Sequence, residues 1–296
     1  MKLHGILAPV TTPFHPGSED LDLAGFTRNV AALVSAGLHG IVVCGSTGEA
    51  ALLTDDERRV LLEAARSATP RDRQLLMGAG AESTRQTLKR CADAKAAGAD
   101  AVLVVAPHYY SNAMTGEALR THYRAVADGS PVPVVLYNIP KYMHFALPAE
   151  LVAELARHPN VIGIKDSSGD LNMLAGFLKA QSDSFSVITG NAGTLVPALD
   201  AGARGGILAV ADFAPTLCLQ AYDAQRKGDA AAAADLQATL KPLASVIVAE
   251  LGIAGVKTAC DVAGLVGGPV RRPLVDLDEA AEQRVRELLA GVVVAA

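Results

Sequence analysis

Continuous apolar runs, each closed by turn-forming residues, recur eight times along the chain. They cover Gly5 to Val10, Gly40 to Cys44, Gln74 to Gly78, Ala101 to Val105, Pro133 to Asn138, Val161 to Lys165, Ser186 to Thr189 and Gly205 to Ala209. Between them the apolar spacing turns helical and the composition Ala-rich, which predicts helices over Leu23 to Ala36, Asp55 to Ala68, Thr84 to Ala97, Gly116 to Ala127, Pro148 to His158, Asp170 to Gln181, Thr194 to Ala201 and Pro215 to Lys227. Thr54 with Glu57 reads as a capping box, and Gly37, Gly98, Gly129 and Gly202 stand where helices should end.

Strands that are apolar throughout and separated by helices imply a parallel sheet buried on both faces. Eight βα units predict a closed (β/α)8 TIM barrel over residues 1–228, with 229–296 as a C-terminal helical segment. An open doubly wound sheet is the alternative. It is weakened because Gly78-Ala79-Gly80 follows a strand but Ser83 stands where the third dinucleotide-binding glycine belongs.

Half of the residues are hydrophobic, so a large core can be buried, and a net charge of -5 with scattered cations offers neither a nucleic-acid stripe nor a polybasic membrane patch. No apolar run approaches the ~18 residues of a membrane span, and the start lacks an export-type apolar region. Cys44, Cys91, Cys218 and Cys260 are too dispersed for a zinc module or a redox pair. The seven histidines form no metal-binding pair. These readings point to a cytoplasmic protein that acts on a small molecule without a metal.

Barrel chemistry gathers where the strands end. Lys165 closes an apolar run, and burial there would favour the neutral amine, a nucleophile toward carbonyls. The simpler reading is a lysine that reaches solvent or pairs with Asp166. Tyr137 ends the fifth run and can move protons for such an amine, or can serve as a core tyrosine. Ser46 and Thr47, in a glycine-flanked loop, can hold a carboxylate or relay a proton, or form an ordinary turn. Gly205-Gly206 suits either a phosphate site or close packing.

Three segments in this order resemble the pyruvate-dependent class I aldolases and lyases related to dihydrodipicolinate synthase and N-acetylneuraminate lyase. They are Gly45-Ser46-Thr47-Gly48-Glu49, Tyr137-Asn138-Ile139-Pro140 and Gly163-Ile164-Lys165-Asp166-Ser167, and the resemblance runs along nearly the whole chain. It implies an enzyme that needs no cofactor. Lys165 would be the Schiff-base lysine and Tyr137 the proton-transfer residue, with Ser46 and Thr47 holding the pyruvate carboxylate and Thr47 linking to Tyr137. Tyr110 resembles a tyrosine lent across a subunit interface, which implies a homo-oligomer, a dimer of dimers. Gly190, Ile207 and Ser167 would line the substrate pocket.

Two departures bear on the substrate. Synthases of the family carry an arginine two residues after the Y-N-x-P segment, where this chain has Tyr142; Glu82, Gln86, Asp55 and Arg58 occupy the places of the lysine-feedback pocket, so lysine inhibition is not expected. Pro107-His108-Tyr109-Tyr110, His158-Pro159-Asn160-Val161 and Gly252-Ile253-Ala254-Gly255-Val256-Lys257 look closer to 4-hydroxy-2-oxoglutarate aldolase, although its loop has Asn at the place of Thr47. The expected partners are pyruvate and a small aldehyde or 2-oxo acid. The alternatives are a dihydrodipicolinate-type synthase using aspartate semialdehyde, a 2-keto-3-deoxy sugar acid aldolase or dehydratase, and a non-catalytic 2-oxo acid-binding barrel.

Overall fold

The computed structural model describes residues 2–292. Eight parallel strands, β1 (Gly5–Ala8), β2 (Gly40–Val43), β3 (Gln74–Gly78), β4 (Ala101–Val105), β5 (Val134–Asn138), β6 (Val161–Asp166), β7 (Ser186–Thr189) and β8 (Gly205–Ile207), form a closed barrel in sequence order. β8 pairs with β1 to close it. The predicted barrel is therefore observed and the open-sheet alternative falls. Nearly every strand residue is buried, because one face fills the barrel and the other meets the surrounding helices.

The helices are α1 (Leu23–Ser35), α2 (Asp55–Ala68), α3 (Thr84–Ala96), α4 (Gly116–Gly129), α5 (Pro140–Met143), α6 (Ala149–Leu155), α7 (Leu171–Leu178), α8 (Leu195–Asp200), α9 (Pro215–Lys227), α10 (Ala230–Pro242), α11 (Gly252–Val262) and α12 (Glu279–Leu289). The capping box at Thr54 is present: the hydroxyl accepts from Glu57 N and the Glu57 carboxylate accepts from Thr54 N. Asp170 proves to be a cap rather than the first helical residue, since its carboxylate accepts from Asn172 N and Met173 N. Gly129 is the last helical residue rather than a stop signal. Its missing Cβ serves packing, because a methyl there would lie 2.7 Å from Leu88 of α3.

Strand ends shift by a few residues for local reasons. β1 stops at Ala8, and β2 stops before Cys44, which takes a left-handed backbone. β8 ends at Ile207 because a tight helical turn spans Ala209–Asp212. Gly205 serves close strand approach: an added Cβ would sit 2.0 Å from Gly5 O. The single turn of α5, opened by Pro140, was not legible from apolar spacing.

After α10 comes a wide π-type turn, Leu243–Glu250, then α11. Leu240, Leu243, Ile247, Val256 and Cys260 belong to the same apolar core as the barrel strands. Asn29 of α1 fastens the segment through two hydrogen bonds to the Val266 backbone, 2.7 and 2.9 Å. No helix among the described residues is long and apolar enough to cross a membrane.

Candidate active site

The register between β5 and β6 sets Tyr137 beside Lys165 and Asn138 beside Asp166. Successive strand residues point to opposite faces, so one pair enters the barrel mouth and the other leaves it. Lys165 is 5 % exposed, and its Nζ lies 4.5 Å from the centre of the Tyr137 ring. Asp166 is not its partner. That carboxylate accepts from Asn138 Nδ2 at 2.8 Å and from Ser168 Oγ at 2.7 Å, while Asn138 Oδ1 accepts from Leu147 N at 2.9 Å. The outward pair is thus a brace between the two strand ends.

A cavity of about 150 Å³ opens over Lys165. Ser46, Thr47, Tyr137, Ser167, Gly190 and Ile207 all line it, so seven of the eight residues singled out in the sequence meet at one place. The eighth, Tyr110, is 71 % exposed and packs edge-on against Tyr109 at 5.0 Å; it stays out of its own chain's cavity. Gly190 is a steric requirement. A Cβ there would lie 1.9 Å from Ser167 Oγ and 2.9 Å from Lys165 Cε, displacing the side chain that carries the amine.

The loop that presents Ser46 and Thr47 is a compact turn with Gly48 N donating to Gly45 O and Glu49 N to Ser46 O. Thr12 Oγ1 donates to Gly48 O at 2.8 Å and ties it to the loop after β1. The residues at the feedback-pocket positions bond within the chain: Asp55 accepts from Gln86 and from Arg90, and Glu82 accepts from His108 N and Tyr109 N.

Several site residues escaped the sequence reading. Ala244, Val248, Ala249, Ile253 and Val256 form the far wall, although they belong to the C-terminal segment. Nothing in their apolar pattern separates a pocket wall from a core face. Lys141 and Tyr142 sit at the rim, with Lys141 Nζ donating to Ala249 O at 3.1 Å. Tyr142 was singled out in the sequence for its place after the Y-N-x-P segment, and Lys141 beside it was not. Asn191, next to Gly190, lines the opposite side.

Asp212 was also missed. It is 1 % exposed, and neither carboxyl oxygen has a hydrogen-bond partner among the described residues. Burial holds its acid well above the usual carboxylate range, opposed only in part by the charge of Lys165. The folded protein therefore keeps a proton that the unfolded chain releases above pH ~4, and stability falls as pH rises past that value. Asp212→Asn is expected to melt several degrees above the parent at pH 8, by about 2–4 °C per kcal/mol recovered, and level with it near pH 4. Thermal melts at the two pH values check this; a gap that does not grow with pH would rule it out.

All four cysteines are free and buried, and burial raises Cys44 to about 12 and Cys91 to about 11, which leaves them inert as nucleophiles. No cluster of metal-binding side chains occurs among the described residues. Two amines line the cavity, Lys141 and Lys165, and the buried one, Lys165, lies beneath an apolar wall with the Tyr137 phenol beside it.

Among (β/α)8 enzymes this chemistry marks a pyruvate-dependent carbon–carbon lyase of the class I, lysine-imine type. The chain belongs to the dihydrodipicolinate synthetase family, whose model matches residues 2–291. It is 38 % identical over 289 residues to a 4-hydroxy-tetrahydrodipicolinate synthase of Methanoculleus marisnigri, covering 97 % of this chain and 98 % of the relative. A dihydrodipicolinate synthase from Bacillus anthracis superposes with a TM-score of 0.94 at 28 % identity, covering 99 % of both chains. A prophage protein of the dihydrodipicolinic acid synthase family from E. coli K12, solved with pyruvate, gives a TM-score of 0.92 at 30 % identity over 98 % of each chain.

Proposed function

We propose that this lyase cleaves a 4-hydroxy-2-oxo acid of the 4-hydroxy-2-oxoglutarate kind, reversibly, to pyruvate and a small aldehyde such as glyoxylate. The register of Tyr137 with Lys165 at the floor of the cavity carries the reading. The Lys165 amine attacks the C2 carbonyl, and loss of water from the carbinolamine leaves an iminium ion. The 4-hydroxyl then gives up its proton and the C3–C4 bond breaks. Its electron pair flows into the iminium nitrogen, so the aldehyde departs and an enamine of pyruvate remains. Protonation at C3 and hydrolysis release pyruvate and restore the amine. Tyr137 is the group placed to carry protons, and Ser46 and Thr47 hold the carboxylate next to C2.

The rim supports a short, acidic substrate. No arginine lines the cavity among the described residues, and Tyr142 stands where the synthases of the family carry theirs. Burial raises the Tyr142 phenol, with nearby Tyr137 adding to the effect, so it remains a neutral hydrogen-bonding group. Lys141, tethered by one of its three N–H donors to Ala249 O, is the cation available to a distal carboxylate. The protein would act in the cytoplasm, without cofactor or metal, as a dimer of dimers to which Tyr110 contributes from a neighbouring subunit.

A second reading is a 4-hydroxy-tetrahydrodipicolinate synthase that condenses pyruvate with aspartate semialdehyde, the activity named for the curated relatives. Turnover separates the two. Pyruvate release from 4-hydroxy-2-oxoglutarate, with a pyruvyl-sized adduct on Lys165 after borohydride quenching, is the expected result. Adduct formation with pyruvate but turnover only in the presence of aspartate semialdehyde would establish the synthase, and no adduct with either acid would end the imine reading.

A further inference from the structure

Among the described residues, the most deeply buried cationic side chain is Lys257. It is 1 % exposed, lies on α11 directly after the cavity-lining Val256, and its three donors are all used. Nζ donates to Glu49 Oε1 at 2.8 Å, to Thr12 O at 2.9 Å and to Pro269 O. One ammonium group thus joins the loop after β1, the loop after β2 and the C-terminal segment.

Glu49 answers from the other side. Its side chain is fully buried, its second oxygen accepts from Arg271 N at 2.8 Å, and its backbone holds a left-handed conformation with φ 56°. The Arg271 guanidinium in turn forks onto Glu57, in the capping box of α2, at 2.7 and 2.9 Å. Phe14 lies between the two cations, 4.6 Å from Lys257 Nζ and 4.2 Å from the guanidinium carbon. Burial lowers the Lys257 pKa and the neighbouring Glu49 charge opposes that shift.

Glu49 is the last residue of the turn that carries Ser46 and Thr47, and α11 carries three residues of the cavity wall, Gly252, Ile253 and Val256. A buried ion pair is poor evidence of stabilisation in itself, since desolvation offsets the attraction; what it fixes is geometry. We propose that Glu49 and Lys257 are positioning residues for the reaction: their buried pair locks α11 to the Gly45–Glu49 loop and sets Ser46 and Thr47 where they meet the carboxylate of the 2-oxo acid. This rests on the reading of Lys165 as the imine-forming lysine and of that loop as its carboxylate holder. The pair touches no reacting atom. Its loss should weaken capture of the acid more than the rate at full occupancy.

The test is borohydride trapping of pyruvate on the full-length protein, followed against pyruvate concentration and alongside thermal melting. Glu49→Gln and Lys257→Met are each expected to raise half-saturating pyruvate about tenfold or more while keeping the limiting trapping rate within about threefold of the parent. The double variant Glu49→Gln/Lys257→Met, which leaves no unpaired buried charge, is expected to regain melting temperature but not affinity. Leu33→Ala, in the core near the end of α1 that faces away from the cavity, should lose melting temperature alone. Singles that melt early with unchanged half-saturation, or a double variant that recovers both properties, would overturn the proposal. If the singles do not fold, the double variant decides. An unlabelled parent would instead overturn the pyruvate reading and this inference with it.

Discussion

Lys165→Ala is expected to abolish turnover, by at least about four orders of magnitude in kcat, because the variant has no amine with which to form an imine. Labelling by borohydride in the presence of pyruvate should vanish with it. The fold should survive. Lys165 is buried beside an aromatic ring rather than in an ion pair with Asp166, whose oxygens are taken by Asn138 and Ser168, so its removal leaves no orphaned carboxylate in the brace. Circular dichroism and melting close to the parent, with no detectable adduct by intact mass, is the combined result expected. A variant that keeps a tenth of the parental rate would show that another group does the chemistry.

Tyr137→Phe should cost about 10²–10⁴ in kcat, the usual range for removal of a group that moves protons in the rate-limiting steps. The ring stays, so packing of a residue only 4 % exposed and the contact with Lys165 Nζ are preserved, and the loss isolates the hydroxyl. KM for the 2-oxo acid should change little. Rapid-quench trapping sharpens the expectation: imine formation slows together with turnover, since carbinolamine dehydration also needs a proton delivered. An unchanged trapping rate with slow turnover would confine Tyr137 to the cleavage step, and an unchanged kcat would remove it from the mechanism.

The barrel was legible because continuous apolar strands and Ala-rich helices alternate with a fixed rhythm, and that rhythm has few physical solutions. The cavity's floor was legible for a related reason. Lys165 and Tyr137 are polar residues at the ends of apolar strands, out of place in a purely structural chain, and both line the cavity. What the pattern could not carry were contacts set by packing between distant segments. Val256 and Ile253 look like any core-facing pair on a helix, and Lys257 beside them looks like a solvent residue until α11 is laid against the Glu49 loop. Asp212 was invisible in the same way, since only the fold shows that no donor among the described residues reaches its carboxyl group. Helix and strand ends moved by a residue or more wherever a cap or a left-handed residue outweighed apolar spacing, as at Asp170 and Cys44.

The far wall of the cavity, from Ala244 to Val256, is the last part of the site to be synthesised. A nascent chain that has already paired β5 with β6 has its lysine and tyrosine side by side but still open to water. It has no partner for Glu49 and no roof over the amine. The wall over the amine is therefore complete only after α11 has emerged and docked. That timing follows from the order in which the ribosome delivers the walls of the site.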